Sequence, residues 1–469
     1  MEVTVMANVM VWKDDPESAL GLLEVPAPDL NLKPYALRID ERAPQPQVYD
    51  KGTSEFRFWS AAASGARGVS YWGALAPDGI TWESGPILPM ILDKGEDLNA
   101  FYDRKALNFF HGPGANGNTV FSGESPDIVC HELGHGILDS VRPELFNTAS
   151  LEVPAFHEGF ADISALLTAL QVPDVRTAVL RETGGHLDRN SNWSRLAEQL
   201  GSAIRAQSPD AVDADCLRNA ANSFHYQDPE GLDASSPATT LSQEPHNFSR
   251  VFSGAFLEAF AGMVLTKSAN PTADDILEVS RDAGSLLVTA VQAAPIVPEW
   301  YSQVAAALIE ADRQNGGTFE VPLKSAFVRR GILTPQNAMA IGALQEASAA
   351  IATAVPAIRS KEMPLQAIDG GAYGLGSVPL FVHVANQTRR IVALASGRSG
   401  ATVTPPSSDR AARSFVEHLM RLGRIDFGSH GVRGVFIAHP RARKTHRIER
   451  LPNGALALRR ILFYCGYCG

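Results

Sequence analysis

Cysteine is scarce in this chain, with four in 469 residues. That is too few for a disulfide framework and suits a reducing compartment. No apolar run reaches the ~18–20 residues that cross a bilayer, so no membrane span is expected. The first residues, MEVTVMANVMVWKDD, lack the basic n-region and small-residue cleavage site of a secretory signal. Their apolar stretch is broken by Asn8 and ends in acid, and it reads as a strand. These absences suggest a cytoplasmic protein, or one exported without an N-terminal signal peptide. No period of 20–50 residues recurs, which argues against solenoids and propellers. Positive charge is in deficit as well: 41 Lys+Arg against 51 Asp+Glu give −10, so the chain as a whole is no nucleic-acid binder.

What is present is the composition of a soluble globular protein, 45% apolar and 20% charged. The length suggests two to four domains at ~100–200 residues each. Charge is unevenly spread. From Ala401 onward there are 12 Arg/Lys and 4 Asp/Glu, a balance of +8, which leaves −18 for the rest. Such asymmetry marks different domains or different partners.

Residues 1–124 read as a β-rich lobe, with FRFWSA, GVSYWGAL and GITWES alternating as strands do. DLNAFYDRKALNFF reads as an exposed hairpin or edge pair. Residues 125–335 read as helical. SPDIVCHELGHGILDSV carries a Ser/Asp cap and an apolar face at Ile128, Leu133 and Ile137. A second helix is expected after Pro154, and further helices over 247–267, 272–292 and 297–313. Residues 228–245 form a polar loop. Residues 336–469 open on an Ala-rich stretch that suits a bridging helix. They continue as a small α/β domain with a helix near 408–423, ending in a hairpin around Asn453-Gly454.

The chemistry lies in His131-Glu132-Leu133-Gly134-His135. Two histidines four apart on a helix leave the same face one turn apart, so both reach one Zn2+ at about 2.0–2.1 Å. Glu132 is placed as general base toward a metal-bound water. The best third ligand is Glu158, on the next helix. Asp162, one turn on, faces the same way and can accept the outer N–H of a ligating histidine.

With these residues the chain resembles the thermolysin-like neutral metalloproteases, the gluzincin class with a glutamate as third ligand. Asn99-Ala100-Phe101-Tyr102-Asp103 is similar to the family's edge strand, which pairs with the substrate backbone. Asp127-Ile-Val-Cys-His131 is similar to its run into the first ligand. Leu217-Arg218 resembles a Leu-Arg pair whose arginine binds a substrate carbonyl. His246-Asn247-Phe-Ser249 resembles the segment whose histidine stabilises the transition state. Lys324-Ser-Ala-Phe-Val-Arg-Arg-Gly-Ile is similar to the closing helix. The match covers roughly residues 98–333.

The resemblance implies an α+β fold in which a β-rich lobe and a helical lobe flank one zinc, plus the basic appendage. It implies an endopeptidase acting on peptides or proteins, with Ile128 and Leu217 beside an apolar pocket for the residue after the cut. An exopeptidase, another zinc hydrolase on the scaffold, or an inactive binding protein are the alternatives. The sequence departs from the family in four respects. No Tyr lies between Asp139 and Glu158, where a second donor is expected. Ala169 stands where an acid would complete a calcium site with Asp127, which argues against bound Ca2+. The Asp that orients the active-site histidine is not in place, and Glu244 is the available substitute. A signal and a long propeptide are absent from the sequence.

Other residues have plainer readings. His157 lies about 100° off the ligand face. Cys130 reads as a buried thiol, His111 and His225 as surface residues, and Cys465-Gly-Tyr-Cys468 as a frayed tail. Gly371-Ala-Tyr-Gly-Leu-Gly lacks the strand-then-helix setting of a nucleotide loop. The basic run HPRARKTHRIER reads either as an anion-binding patch or as a face that docks on the acidic catalytic part.

Overall fold

The computed structural model describes residues 7–341, 361–385, 390–392, 406–430 and 442–464. The chain opens with an antiparallel pair, β1 (Asn8–Trp12) and β2 (Leu22–Pro26), followed by β3 (Ala36–Ile39). Next comes α1 (Ser54–Gly73), a 20-residue helix where strands were expected over FRFWSA and GVSYWGAL. The aromatic runs looked like alternating strands. However, the Ala-Ala-Ala-Ser-Gly-Ala stretch between them is helix-compatible, and Thr53 caps the start by accepting from Phe56 N–H. Phe56, Trp59, Val69 and Trp72 then fall on the buried side. Burying each such side chain contributes roughly 1.5–3 kcal/mol. Residues 7–124, expected to be β-rich, are therefore mixed helix and strand.

The strands β4 (Ile87–Ile91), β5 (Ala100–Tyr102) and β6 (Leu107–Phe109) join β3 in one sheet, and β7 (His111–Pro113) pairs with β8 (Thr119–Phe121). The expected edge pair is β5–β6, antiparallel with Ala100 opposite Phe109.

The helical part starts with α2 (Pro126–Val141) and α3 (Glu152–Ala169), the latter beginning just before Pro154 rather than after it. Every residue of both helices is buried. Polar side chains on a helix enclosed on all sides need partners or a task, and here they are the candidate site residues. Two helices follow that the sequence reading did not include, α4 (Pro173–Thr183) and α5 (Glu198–Gln207). The two-residue strands β9 (Arg195–Leu196) and β10 (Arg218–Asn219) pair with each other. The expected helices are α6 (Pro245–Lys267), α7 (Ala273–Ala293) and α8 (Trp300–Gln314), closed by α9 (Glu320–Arg329) and the short α10 (Pro335–Ala340). Arg142, just after α2, donates to the carbonyls of Val291 (3.0 Å) and Ala294 (3.2 Å) and so caps the C-terminal end of α7.

Among the described residues one helix, α6, has the length and composition of a membrane span, and it is mostly buried within the fold. A second arises only if α3 and α4, bent by 102°, are counted as one.

In the appendage, β11 (Leu365–Ile368), β12 (Leu380–His383), helix α11 (Ser408–Arg421), β13 (Ile425–Asp426), β14 (His446–Arg450) and β15 (Leu456–Arg460) form a small α/β unit. Its sheet runs β11-β12-β15-β14-β13. The expected hairpin is β14–β15, with Arg450 opposite Leu456 and Gly454 at φ 82°, a conformation that glycine adopts freely. Most of the Ala-rich stretch (342–360), part of the basic run (431–441) and Cys465–Cys468 lie outside the described residues. The last strand, β16 (Phe463–Tyr464), leaves the appendage and joins the N-terminal sheet beside β5. The expected exposed edge is therefore covered.

The basic appendage docks on the acidic part. Arg443 pairs with Asp97, Arg410 with Glu230 (2.5 Å), and Ser414 bonds to the same Glu230. This favours the docking reading of the positive charge.

Candidate metal centre

Helices α2 and α3 pack closely because Gly134 faces α3. A Cβ there would meet Ala161 Cα at 2.8 Å and Ser164 Cβ at 2.7 Å. Ser164 Oγ donates to Cys130 O (2.9 Å) and accepts from Trp72 Nε1 (2.8 Å), which ties α1, α2 and α3 together. The close approach brings the candidate ligands to one point. One nitrogen each of His131 and His135 and one oxygen of Glu158 lie within 4.8 Å of one another, all three residues buried. Glu158 Oε2 lies 3.3 Å from His131 Nε2, 3.6 Å from His135 Nε2 and 3.4 Å from His246 Nε2.

That geometry suits a cation. Glu158 Oε2 and His135 Nε2 are buried without a hydrogen bond of good geometry. An N, N, O donor set is one that Zn2+ takes. Among the described residues no other group of three such atoms lies as close. Burial by itself would raise the Glu158 carboxyl, but the imidazoles of His246 and His135 hold it well below the usual range.

The surrounding residues orient the ligands. His131 Nδ1 lies 2.9 Å from Asp162 Oδ1, which leaves Nε2 directed at the site. Asp162 in turn accepts from Arg218 Nη2 (2.7 Å) and Nε (3.1 Å). Burial would raise Asp162, but Arg218 and His131 hold it at about 2. Arg218, expected as a substrate clamp, is thus engaged behind His131. His246 Nδ1 lies 2.7 Å from Glu244 Oε1, while Glu244 Oε2 accepts from Asn247 N–H (3.0 Å). Glu244 therefore both caps α6 and orients His246. Burial would raise its carboxyl, yet His246 holds it at about 2. Glu132 is fully buried on α2.

Ile128 and Leu217 come together with Leu196, Leu200 and Ala165 around a narrow cavity of about 10 Å3 next to His131. A second cavity of about 40 Å3 lies beside Glu158 and His246 and is also lined by Arg460, Phe463 and Tyr464. Tyr464 is the tyrosine lining it. A larger space of about 690 Å3, lined by Ile80, Glu83, Glu144 and Lys361, is separate from this cluster. Asn99 and Ala100 are fully buried, at and beside the start of β5.

Three features were missed in the sequence. His157 is fully buried, with Nδ1 3.4 Å from His135 Nδ1, and burial holds it well below its usual pKa. Its place beside His135 depends on how α2 and α3 pack, which its own helix face does not reveal. Asp127 meets acids from far along the chain: its electrostatic neighbours are Asp14, Asp15 and Glu198, where the sequence reading sought one at Ala169. Their atoms do not form a close group of three. The third is the tail strand β16. Of the remaining expectations, Cys130 is a buried free thiol, and His111, on β7 against Asp93, and His225 are both half-buried.

No known family model matches the chain, and no curated protein matches it in sequence.

Proposed function

We propose that the chain is a zinc metallopeptidase of thermolysin-like plan. In this reading residues 1–124 form the substrate-edge lobe, 125–335 the catalytic lobe and 336–469 an accessory domain. The observation that carries the proposal is the buried convergence of His131, His135 and Glu158 with Glu132 on the same helix. His131, His135 and Glu158 would hold the metal. A bound Zn2+ supplies Lewis acidity, lowering the pKa of a water toward 7 and polarising a carbonyl.

The protein's own groups do the rest. Glu132 takes the proton of the attacking water and delivers it to the leaving amine nitrogen. His246 Nε2 donates to the carbonyl oxygen as charge develops there, a contribution of about 3–4 kcal/mol for comparable donors. Glu244 supplies the anion that a His246 donating from both ring nitrogens requires. Asp162 and Arg218 hold the His131 ring. The backbone of β5 aligns the substrate, and the Ile128–Leu217 pocket favours an apolar residue after the cut.

Metal analysis together with casein or quenched-peptide cleavage tests the reading. The full chain should bind one zinc. Glu132→Gln should keep the zinc and lose about 100-fold or more in turnover. Absence of zinc, or equal cleavage by the variant, overturns it. A dependence of rate on peptide length would separate exopeptidase from endopeptidase action.

A further inference from the structure

The strand β16 lies where an extended peptide would lie on β5. It pairs antiparallel, Phe463 opposite Tyr102 and Tyr464 opposite Phe101. Phe463 is almost wholly buried, and its ring stacks on His157 (centroids 4.0 Å, 22°) and on His135 (4.9 Å, 12°). A candidate metal ligand is thus covered by an aromatic side chain from the far end of the chain.

The approach to this position is also fixed. Arg460 N–H donates to Asn147 Oδ1 (3.0 Å), its Nε donates to Phe146 O (2.9 Å), and its guanidinium lies 4.1 Å over the Phe463 ring. Ile461 N–H donates to Thr445 O (2.9 Å). Arg460, Phe463 and Tyr464 wall the cavity at Glu158 and His246, which at about 40 Å3 has no room for a peptide. Strand addition to a sheet edge is a general mode of peptide recognition, and one edge takes one strand at a time.

We propose that Phe463–Tyr464 is an intramolecular occupant of the peptide-binding edge, so that the full chain is latent and opens when the tail is withdrawn. The inference rests on the peptidase reading of the same site and adds its regulation. It also names the ligand class of the edge: an extended peptide carrying an aromatic residue that stacks on His135 and His157. Occupation by β16 and by substrate is mutually exclusive, because both use the same side of β5. Arg460 brings a cation to the cavity that Glu158 lines, so the closed form offsets the carboxylate's charge as well as covering it.

The test compares full-length wild type with Phe463→Asp and Phe463→Leu after zinc loading. Three quantities are read: the rate of zinc loss to excess chelator, hydrogen exchange over residues 99–103, and cleavage of a quenched peptide. Phe463→Asp should lose zinc at least tenfold faster, exchange faster over 99–103 and cleave at least tenfold faster. Phe463→Leu, which keeps an apolar plug, should stay near wild type. Exchange over α7 serves as the folding control. Should Phe463→Asp fail that control, Tyr464→Pro takes its place, since it disturbs the same strand from the next position. Unchanged zinc loss and unchanged exchange over 99–103 in a folded variant overturn the proposal. Faster zinc loss and exchange without cleavage support the occupancy and overturn the peptidase reading. If none of the three proteins binds zinc, the peptidase reading falls and the exchange result alone decides occupancy.

Discussion

His131 Nδ1 lies 2.9 Å from Asp162 Oδ1, and Asp162 sits one helical turn beyond Glu158 on α3. One short stretch of helix therefore carries both a candidate ligand and the group that orients another ligand. A carboxylate behind a ligating histidine fixes its tautomer and raises its basicity. Asp162→Asn should accordingly weaken zinc binding by about 10–100-fold, the usual cost of such a loss. Competition with a chelator of known affinity measures it. Equal affinity in the variant would remove Asp162 from the site.

Glu244 and His246 make a second prediction. Glu244 bonds both the imidazole and the Asn247 N–H. Removing His246 takes away a donor that acts in the transition state, not a ligand. His246→Ala should lower kcat by about 100–1000-fold with zinc content unchanged. Glu244→Gln keeps the cap and removes the charge, so it should fall between the two. A loss of zinc parallel to the loss of rate in His246→Ala would make His246 a ligand instead.

These relationships were legible because they are local. The four-residue spacing of His131 and His135, and that of Glu158 and Asp162, is helix geometry written in sequence. Glu244 stands two residues from His246. What depends on packing between distant segments was not legible. The helix α1 was read as strands because its aromatics alternate locally, while its helical face is set by the contact of Gly68 with Leu133 on α2. His157 meets His135 only once the two helices pack. Nothing in LFY announces that Phe463 pairs with Tyr102 across most of the chain.

Gly134 supplies a packing test. Its added Cβ would come to 2.8 Å from Ala161 Cα, a backbone atom that cannot swing away. Gly134→Ala should force α2 and α3 apart and destabilise the fold by about 1–3 kcal/mol, as overpacking does. The same displacement separates His131 and His135 from Glu158, so zinc affinity should fall along with Tm. Calorimetry and zinc titration on one preparation read both. A drop in Tm with full zinc affinity would show that the ligand geometry does not depend on this contact.

The buried ionisable groups make stability depend on pH. Burial pushes Asp14 up to about 7, with Asp15 and Glu198 adding to the shift, and burial likewise pushes Glu198 up to about 7 and Glu152 up to about 8. An acid whose folded pKa is raised holds its proton more tightly when folded. Its stabilising effect is therefore full below the unfolded value near 4 and is lost as pH rises through 7–8. Burial holds His418 down at about 4 and His446 well below its usual value, so their contributions are full above about 6.5 and are lost as pH falls below it. The two sets oppose each other between about pH 4 and 6.5, and above about 6.5 only the carboxyl groups still titrate, so unfolding free energy should fall from pH 6.5 to 8. Over that falling limb each carboxyl group still titrating adds a slope of at most about 1.4 kcal/mol per pH unit. Asp14→Asn should flatten that limb and raise Tm at pH 8 by several degrees, with less effect at pH 5. Thermal melts from pH 5 to 9 decide the matter: stability that climbs steadily to pH 8.5 would show that these carboxylates are ionised and compensated in the folded chain.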